Sequence, residues 1–335
     1  MALIQGNWEG PRRPLQVCLV PMFFAVSGFL VAGSALRLRR TATFLAFRAF
    51  RIFPALLVEV TLSALVLGPA LTLLPLKDYF ADGQFYRYFG NILGFVTFTL
   101  PGVFTHNHWP DTVNANLWTL PSEFDCYFMT ALLMLSGLIY NKKIFTVLFA
   151  LATLAFIPLN LFTNFGVTET TMAPVVIDYY FFVGFLFYHY RDQITFSRIG
   201  FAAACVLAYG LLMFHHTEFL APVFVTYIIL FVGMTRFPPL PLLKTGDYSY
   251  GIYLYGFPIT QALVAVFPGL QGHGWPTLLI AAAITCLFAA FSWHVIEKHA
   301  LAQRKRLPAR FFPTKPAIIP EPPLRSELAA RTAPS

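Results

Sequence analysis

Apolar residues run along this chain in long blocks that do not alternate with polar ones. Nine of them (17–36, 52–75, 117–140, 144–163, 174–190, 197–214, 219–235, 247–268 and 275–296) approach or reach the ~20 residues that carry a helix across a bilayer. Only helices and closed barrels satisfy the backbone inside lipid, and barrel strands would show a period of two. The pattern therefore predicts an all-α, polytopic transmembrane helical bundle of about 9–10 spans. A tenth apolar block, 86–104, is short, carries Arg87 and ends at Pro101-Gly102. Residues 1–16 are expected to form an outer-side N-terminal segment, and 17–300 a single membrane domain. Residues 301–335, rich in Pro, Ala and Arg without apolar period, are expected to be a disordered cytoplasmic tail.

Charge decides the status of 86–104. If that block does not cross, the connections alternate. Arg37, Arg39, Arg40, Arg48 and Arg51, then Lys142 and Lys143, Arg191 and Arg198, Arg236 and Lys244, and the tail all fall on one side. The connections 164–173, 215–218 and 269–274 on the other side have no Lys or Arg. The positive-inside rule makes the basic side cytoplasmic and 86–104 re-entrant, or laid against the outer side of the bundle. Arg12 and Arg13 then fall outside, a conflict that a further span before residue 1 would remove.

Composition agrees with a membrane protein. Of 335 residues 57% are apolar and 11% charged, against about 25% charged in soluble domains. The net charge of +8 follows from the cytoplasmic connections, so no nucleic-acid partner is implied. Cys18, Cys126, Cys205 and Cys286 all lie in apolar blocks without CxxC spacing and read as small packing residues, with no metal site or disulfide expected.

Several polar residues stand out. Arg48 and Arg51 are three apart and share a helix face. They suit phosphate, for which the guanidinium fork donates paired hydrogen bonds, and equally a lipid-headgroup anchor. Trp118-Thr119-Leu120-Pro121-Ser122-Glu123 opens the third span. Glu123 there is either a first-turn carboxylate favoured by the helix dipole or a group that meets a sugar hydroxyl or holds a catalytic residue, with Trp118 beside it. Glu59 and Asp178 lie inside apolar blocks, where a carboxylate is costly. Each is either a proton-relay or substrate group, or a structurally paired acid. The tyrosines of 246–256 fit an aromatic belt. His106, His108, His215, His216 and His273 fall in outer connections, and His294 and His299 at the end of the last span; all read as surface or structural residues.

Five blocks carry a resemblance: FFAVSGFLVAGSALR (23–37), FLAFRAFRIFPALL (44–57), NANLWTLPSEFDCYF (114–128), GDYSYGIYLYGFPI (246–259) and SWHVIEK (292–298). In this order they resemble the acyltransferase-3 family of bacterial inner-membrane acyltransferases, from about residue 15 to about 300. The resemblance implies a multi-pass protein with its basic tail in the cytoplasm. It implies transfer of an acyl group, usually acetyl, from acyl-CoA to a hydroxyl of a cell-surface or exported carbohydrate. Acetyl-CoA is then a donor co-substrate and no cofactor is permanently bound. A carbohydrate or lipid-linked glycan acceptor and membrane lipids are the implied partners, and the oligomeric state is left open. On this picture Arg48 and Arg51 hold the donor phosphates. The Ser27-Gly28-Phe29 break lines the path of the pantetheine arm, and Trp118 and Glu123 form the acceptor side, Glu123 being the one catalytic candidate. Family members also have an earlier span with a catalytic histidine; no histidine here matches it, and Gly256 stands where many relatives have histidine. Two alternatives remain: a secondary transporter or lipid-linked sugar flippase, and a truncated non-catalytic family member.

Overall fold

The computed structural model describes residues 11–163, 172–235 and 246–306. Among these, each of the nine predicted blocks holds one principal helix: α1 Leu19–Leu38, α2 Thr41–Leu62, α3 Leu120–Leu135, α4 Lys142–Phe162, α5 Pro174–His189, α6 Arg198–Leu212, α7 Pro222–Met234, α8 Ser249–Val266 and α9 Gly274–Phe291. No strand occurs among the described residues, only a single bridge between Thr72 and Val103. By length and apolarity the stretches Arg13–Leu38, Thr41–Leu71, Lys142–Leu159 and Gly274–Gln303 are able to cross a membrane, and α5, α6 and α7 are shorter apolar helices. Helix α4 leaves Val147, Leu151 and Leu154 exposed, an apolar surface of the kind that faces lipid. The protein is a polytopic helical membrane protein.

Three expectations shift. Helix α2 begins at Thr41, so Arg48 and Arg51 lie two and three turns inside a helix rather than at its mouth. The block 86–104 is not a membrane-length helix. It holds the end of the short helix Gly83–Tyr88, a 3-10 turn Phe89–Leu93 and an irregular run broken by Gly94 and Gly102 at positive φ. The Ser27-Gly28-Phe29 step is not a break either, because α1 runs through it without interruption. The apolar block 275–296 also continues, through a π turn Ser292–Glu297, a short helix Lys298–Gln303 and a 3-10 turn Arg304–Arg306. Residues 307–335 of the expected tail, most of 1–16, and the connections carrying Arg236 and Lys244 lie outside the described residues.

The chain gathers into two compact units, Met1–Phe44 with Asp125–Pro238 and Ala309–Ser335, and Leu45–Phe124 with Pro239–Pro308. In the first, α1 packs on α5 through glycines. A Cβ on Gly28 would lie 1.9 Å from Phe181 O, and one on Gly184 2.0 Å from Ala25 O. Small residues at such crossings let two backbones meet, which is how helices associate where lipid offers no hydrophobic drive. Gly28 is thus a packing residue. Arg13 is buried and ion-paired to Glu218, and it donates to Leu212 O. The charge that looked misplaced in an outer connection is therefore neutralised inside the protein. Asp178 accepts from Cys126 Sγ at 3.5 Å.

Gly28→Ala is expected to force α1 and α5 apart, an overpacking cost of about 1–3 kcal/mol. A lower melting temperature in detergent would register it, and an unchanged one would show that the crossing is loose.

Candidate functional site

The second unit contains Arg48, Arg51, Glu59, Trp118 and Glu123, and helix α8 orders them. Near its start, Arg51 donates to Asp247 Oδ2 at 2.8 Å and to Glu297 Oε2 at 3.1 Å, with its guanidinium 5.5 Å from the Tyr250 ring centre. Glu297 reaches this point because the π turn closes Ser292 on Glu297, five residues apart, with Ser292 Oγ donating to Oε1 at 2.9 Å. Arg304 lies 5.2 Å from the Phe47 ring centre. Burial first, then the like charges of Arg48 and Arg51, hold Arg304 below the usual guanidinium range. Three arginines thus share one region with two carboxylates, Asp247 half exposed and Glu297 buried. The tyrosines of the 246–256 stretch serve here: Tyr250 donates to Ile52 O at 3.3 Å, and Tyr248 OH lies 3.1 Å from His294 Nε2.

One turn along α8, the Glu123 carboxylate acts electrostatically on Tyr250 and Tyr253. Thr119 Oγ1 lies 2.5 Å from Tyr253 OH, which itself donates to Asn116 O. Trp118, half-buried, sits in the same 3-10 turn, Ala115–Thr119. This segment therefore meets α8 partway along its length, not at its far end.

The cause is Pro258. Inside α8 it has no N–H for the carbonyl four residues back and its ring pushes against that carbonyl. Leu254 O is taken instead by Asn114 Nδ2 at 3.0 Å, and Tyr253 O by Asn116 Nδ2 at 2.8 Å. Asn114 Nδ2 also donates to Glu59 Oε1 at 2.9 Å, which Ser63 Oγ reaches at 2.9 Å. Glu59 is buried, its Oε2 is unsatisfied, and it sits just before the π turn Ser63–Leu67. It braces Asn114.

A turn further, Gln261 donates from Nε2 to Trp109 O at 2.7 Å and Thr112 O at 2.6 Å, and Asn107 Nδ2 donates to Gln261 O at 2.9 Å. These bonds pin the irregular 101–113 connection to α8. A cavity of about 380 Å³ opens beside them, and Asn107 lines a second of about 500 Å³. Among the described residues no cluster of His, Cys, Asp or Glu is placed to hold a metal ion.

The site residues predicted from sequence divide accordingly. Arg51, Trp118 and Glu123 fall in one unit along α8, with Arg48 in the same unit acting on Arg304, while Ser27 and Gly28 belong to α1 of the other. The amides Asn107, Asn114, Asn116 and Gln261 had not been singled out. Nor had His189, which is half-buried against Phe145 and Phe185.

Residues 2–297 match the acyltransferase domain that defines the acyltransferase-3 family. The chain belongs to that family. It is 28% identical over 307 residues to an O-acetyl transferase of Shigella phage Sf6, covering 85% of this chain and 84% of that one. It is 28% identical over 315 residues to nodulation protein 10 of Rhizobium leguminosarum bv. viciae, covering 87% and 84%. No solved structure matches. As an acyltransferase-3 protein the chain is an acyltransferase.

Asn114→Leu is expected to leave Leu254 O without its side-chain donor and Glu59 with Ser63 alone, at about 1–3 kcal/mol. If Pro258 creates the need for Asn114, the Pro258→Ala, Asn114→Leu pair will lose less than the sum of the single variants in detergent melting experiments. Additive losses would mean the two are independent.

Proposed function

We propose that this protein is a membrane O-acyltransferase that moves an acyl group, acetyl by preference, from acyl-CoA to a hydroxyl of a cell-surface or exported carbohydrate. The observation that carries the reading is the order of groups along α8. Cationic side chains at Tyr250 suit the donor's phosphates, and uncharged amides by Gly256 and Gln261 suit a neutral acceptor. Glu123 acts on Tyr250 and Tyr253, beside the cationic end. Arg48 and Arg51 hold the donor phosphates, and Arg304 adds to their field. Asp247 and Glu297 orient Arg51 and offset part of the charge of the three arginines. Ser27 is assigned to the pantetheine path on the family resemblance, while its neighbour Gly28 is taken up by the crossing with α5. The kinship with an O-acetyl transferase supports acetyl as the group moved. The distribution of Lys and Arg supports a cytoplasmic tail, and the family resemblance supports the bacterial inner membrane.

In the reaction the acceptor hydroxyl oxygen attacks the thioester carbonyl. The new C–O bond forms, the C–S bond breaks, and CoA leaves as the thiol. A hydroxyl needs a group to take its proton, an assistance of about 10²–10⁴-fold. Glu123 is assigned that role, and the proton it takes passes to the departing sulfur.

Arg48→Ala is expected to raise the KM for acetyl-CoA at least tenfold while leaving the acceptor KM alone. Arg51→Ala should do the same and also lower the melting temperature, because it strands buried Glu297 without its cation. Unaltered acetyl-CoA affinity in Arg48→Ala would remove the donor assignment. Glu123→Gln should lower kcat by about 10²–10⁴-fold without loss of fold; a kcat within a few-fold of the parent would transfer the proton to another group.

A further inference from the structure

The cavity beside the Pro258 kink is lined by Trp109, Asn116, Gly256, Phe257, Thr260 and Gln261. None is charged, so no counter-ion there would compensate an ionic ligand taken out of water. The hydrogen-bonding capacity of this wall is lopsided. Both Gln261 Nε2 hydrogens go to Trp109 O and Thr112 O, one Asn116 Nδ2 hydrogen goes to Tyr253 O, and the Thr260 hydroxyl donates to Gly256 O at 2.7 Å. The side-chain oxygens keep lone pairs: two on Asn116 Oδ1, two on Thr260 Oγ1, and one on Gln261 Oε1 beside that given to Asn107 at 3.1 Å. Acceptors therefore outnumber free donors. A ligand that satisfies the wall is neutral and brings several hydroxyl groups. Trp109 and Phe257, ring centres 5.5 Å apart, add aromatic surface for an apolar C–H face. The volume, about 380 Å³, sits at the small end of the ~300–1,000 Å³ range of small-molecule sites.

We propose that this cavity is a binding subsite for a neutral, pyranose-sized polyol, a single sugar ring of the acceptor, and that Gly256 sets its depth. The identity of the occupant as acceptor rests on the acyl-transfer reading. A Cβ built on Gly256 meets only Thr285 Cγ2, at 3.8 Å. A larger side chain therefore extends from the cavity wall without striking backbone, and relatives that differ here would accept rings of different bulk.

The test titrates the detergent-solubilised full chain with methyl α-glucoside, galactoside, mannoside and rhamnoside, followed by saturation-transfer NMR. At least one is expected to bind the parent. That binding should weaken at least tenfold in Gly256→Leu, which adds bulk at the cavity wall, and several-fold in Thr260→Val, a nearly isosteric change that removes one acceptor and keeps the melting temperature. Inorganic pyrophosphate should not compete. No binding to the parent, equal binding in both variants, or competition by pyrophosphate would overturn the proposal. Acetyl-CoA consumption in the same preparation reports separately on the enzyme reading. Glycoside binding lost in the variants without any turnover sustains the cavity and removes the transferase. Turnover with no glycoside binding does the reverse.

Discussion

The second unit depends on a hydrogen bond that a helix cannot make for itself. Pro258 deprives Leu254 O of its partner in the middle of an apolar helix, at a residue buried from solvent. Asn114 supplies the missing donor from outside the helix, and Asn116 takes the neighbouring carbonyl of Tyr253. A buried carbonyl without a partner costs as much as several good van der Waals contacts, so the segment 114–119 is held where these two oxygens are. Trp118, Thr119 and Glu123 take their positions from that attachment.

The same attachment explains why an acid is tolerated deep in the unit. Glu59 is a costly residue in a membrane-spanning helix. Its Oε1 accepts from both Asn114 and Ser63, so the carboxyl group fixes the amide that caps the kink. Its role is to position Asn114, and through it the wall of the cavity. At the other end of α8, Glu297 plays a comparable part for Arg51, holding a guanidinium in one orientation while Asp247 shares it.

Much of the architecture was legible in the chain because hydropathy accumulates over twenty residues and survives local error. All nine apolar blocks hold a helix. The exclusion of 86–104 as a crossing followed from charge, and the glycines at positive φ explain it. The arginine pair was legible because its spacing and its position beside a long apolar run are both local. The amides were not. Asn107, Asn114, Asn116 and Gln261 matter through partners up to about 150 residues away, and single amides in a long connection have no period to betray them. Two signals were nonetheless present: Pro258 within a span announces a carbonyl in need of a donor, and Gln261 is an amide inside an apolar block. The apparent break at Ser27-Gly28 misled for a related reason. Glycine permits both a bend and a close helix crossing, and only the partner helix decides which. Arg13 likewise took on meaning only beside Glu218.

The π turn at Ser292–Glu297 has an effect beyond joining a serine to a glutamate. An i→i+5 turn accommodates one residue more than an α turn, and each residue advances a helix by about 100°. Everything after Glu297 is therefore rotated by roughly that angle relative to an uninterrupted α9. Arg304 owes its place beside Phe47 to this change of phase. A chain one residue shorter within the turn would keep every apolar residue of the span and still turn Arg304 toward a different neighbour. In this protein the length of the final helix, as much as its composition, specifies which charges meet at the basic end.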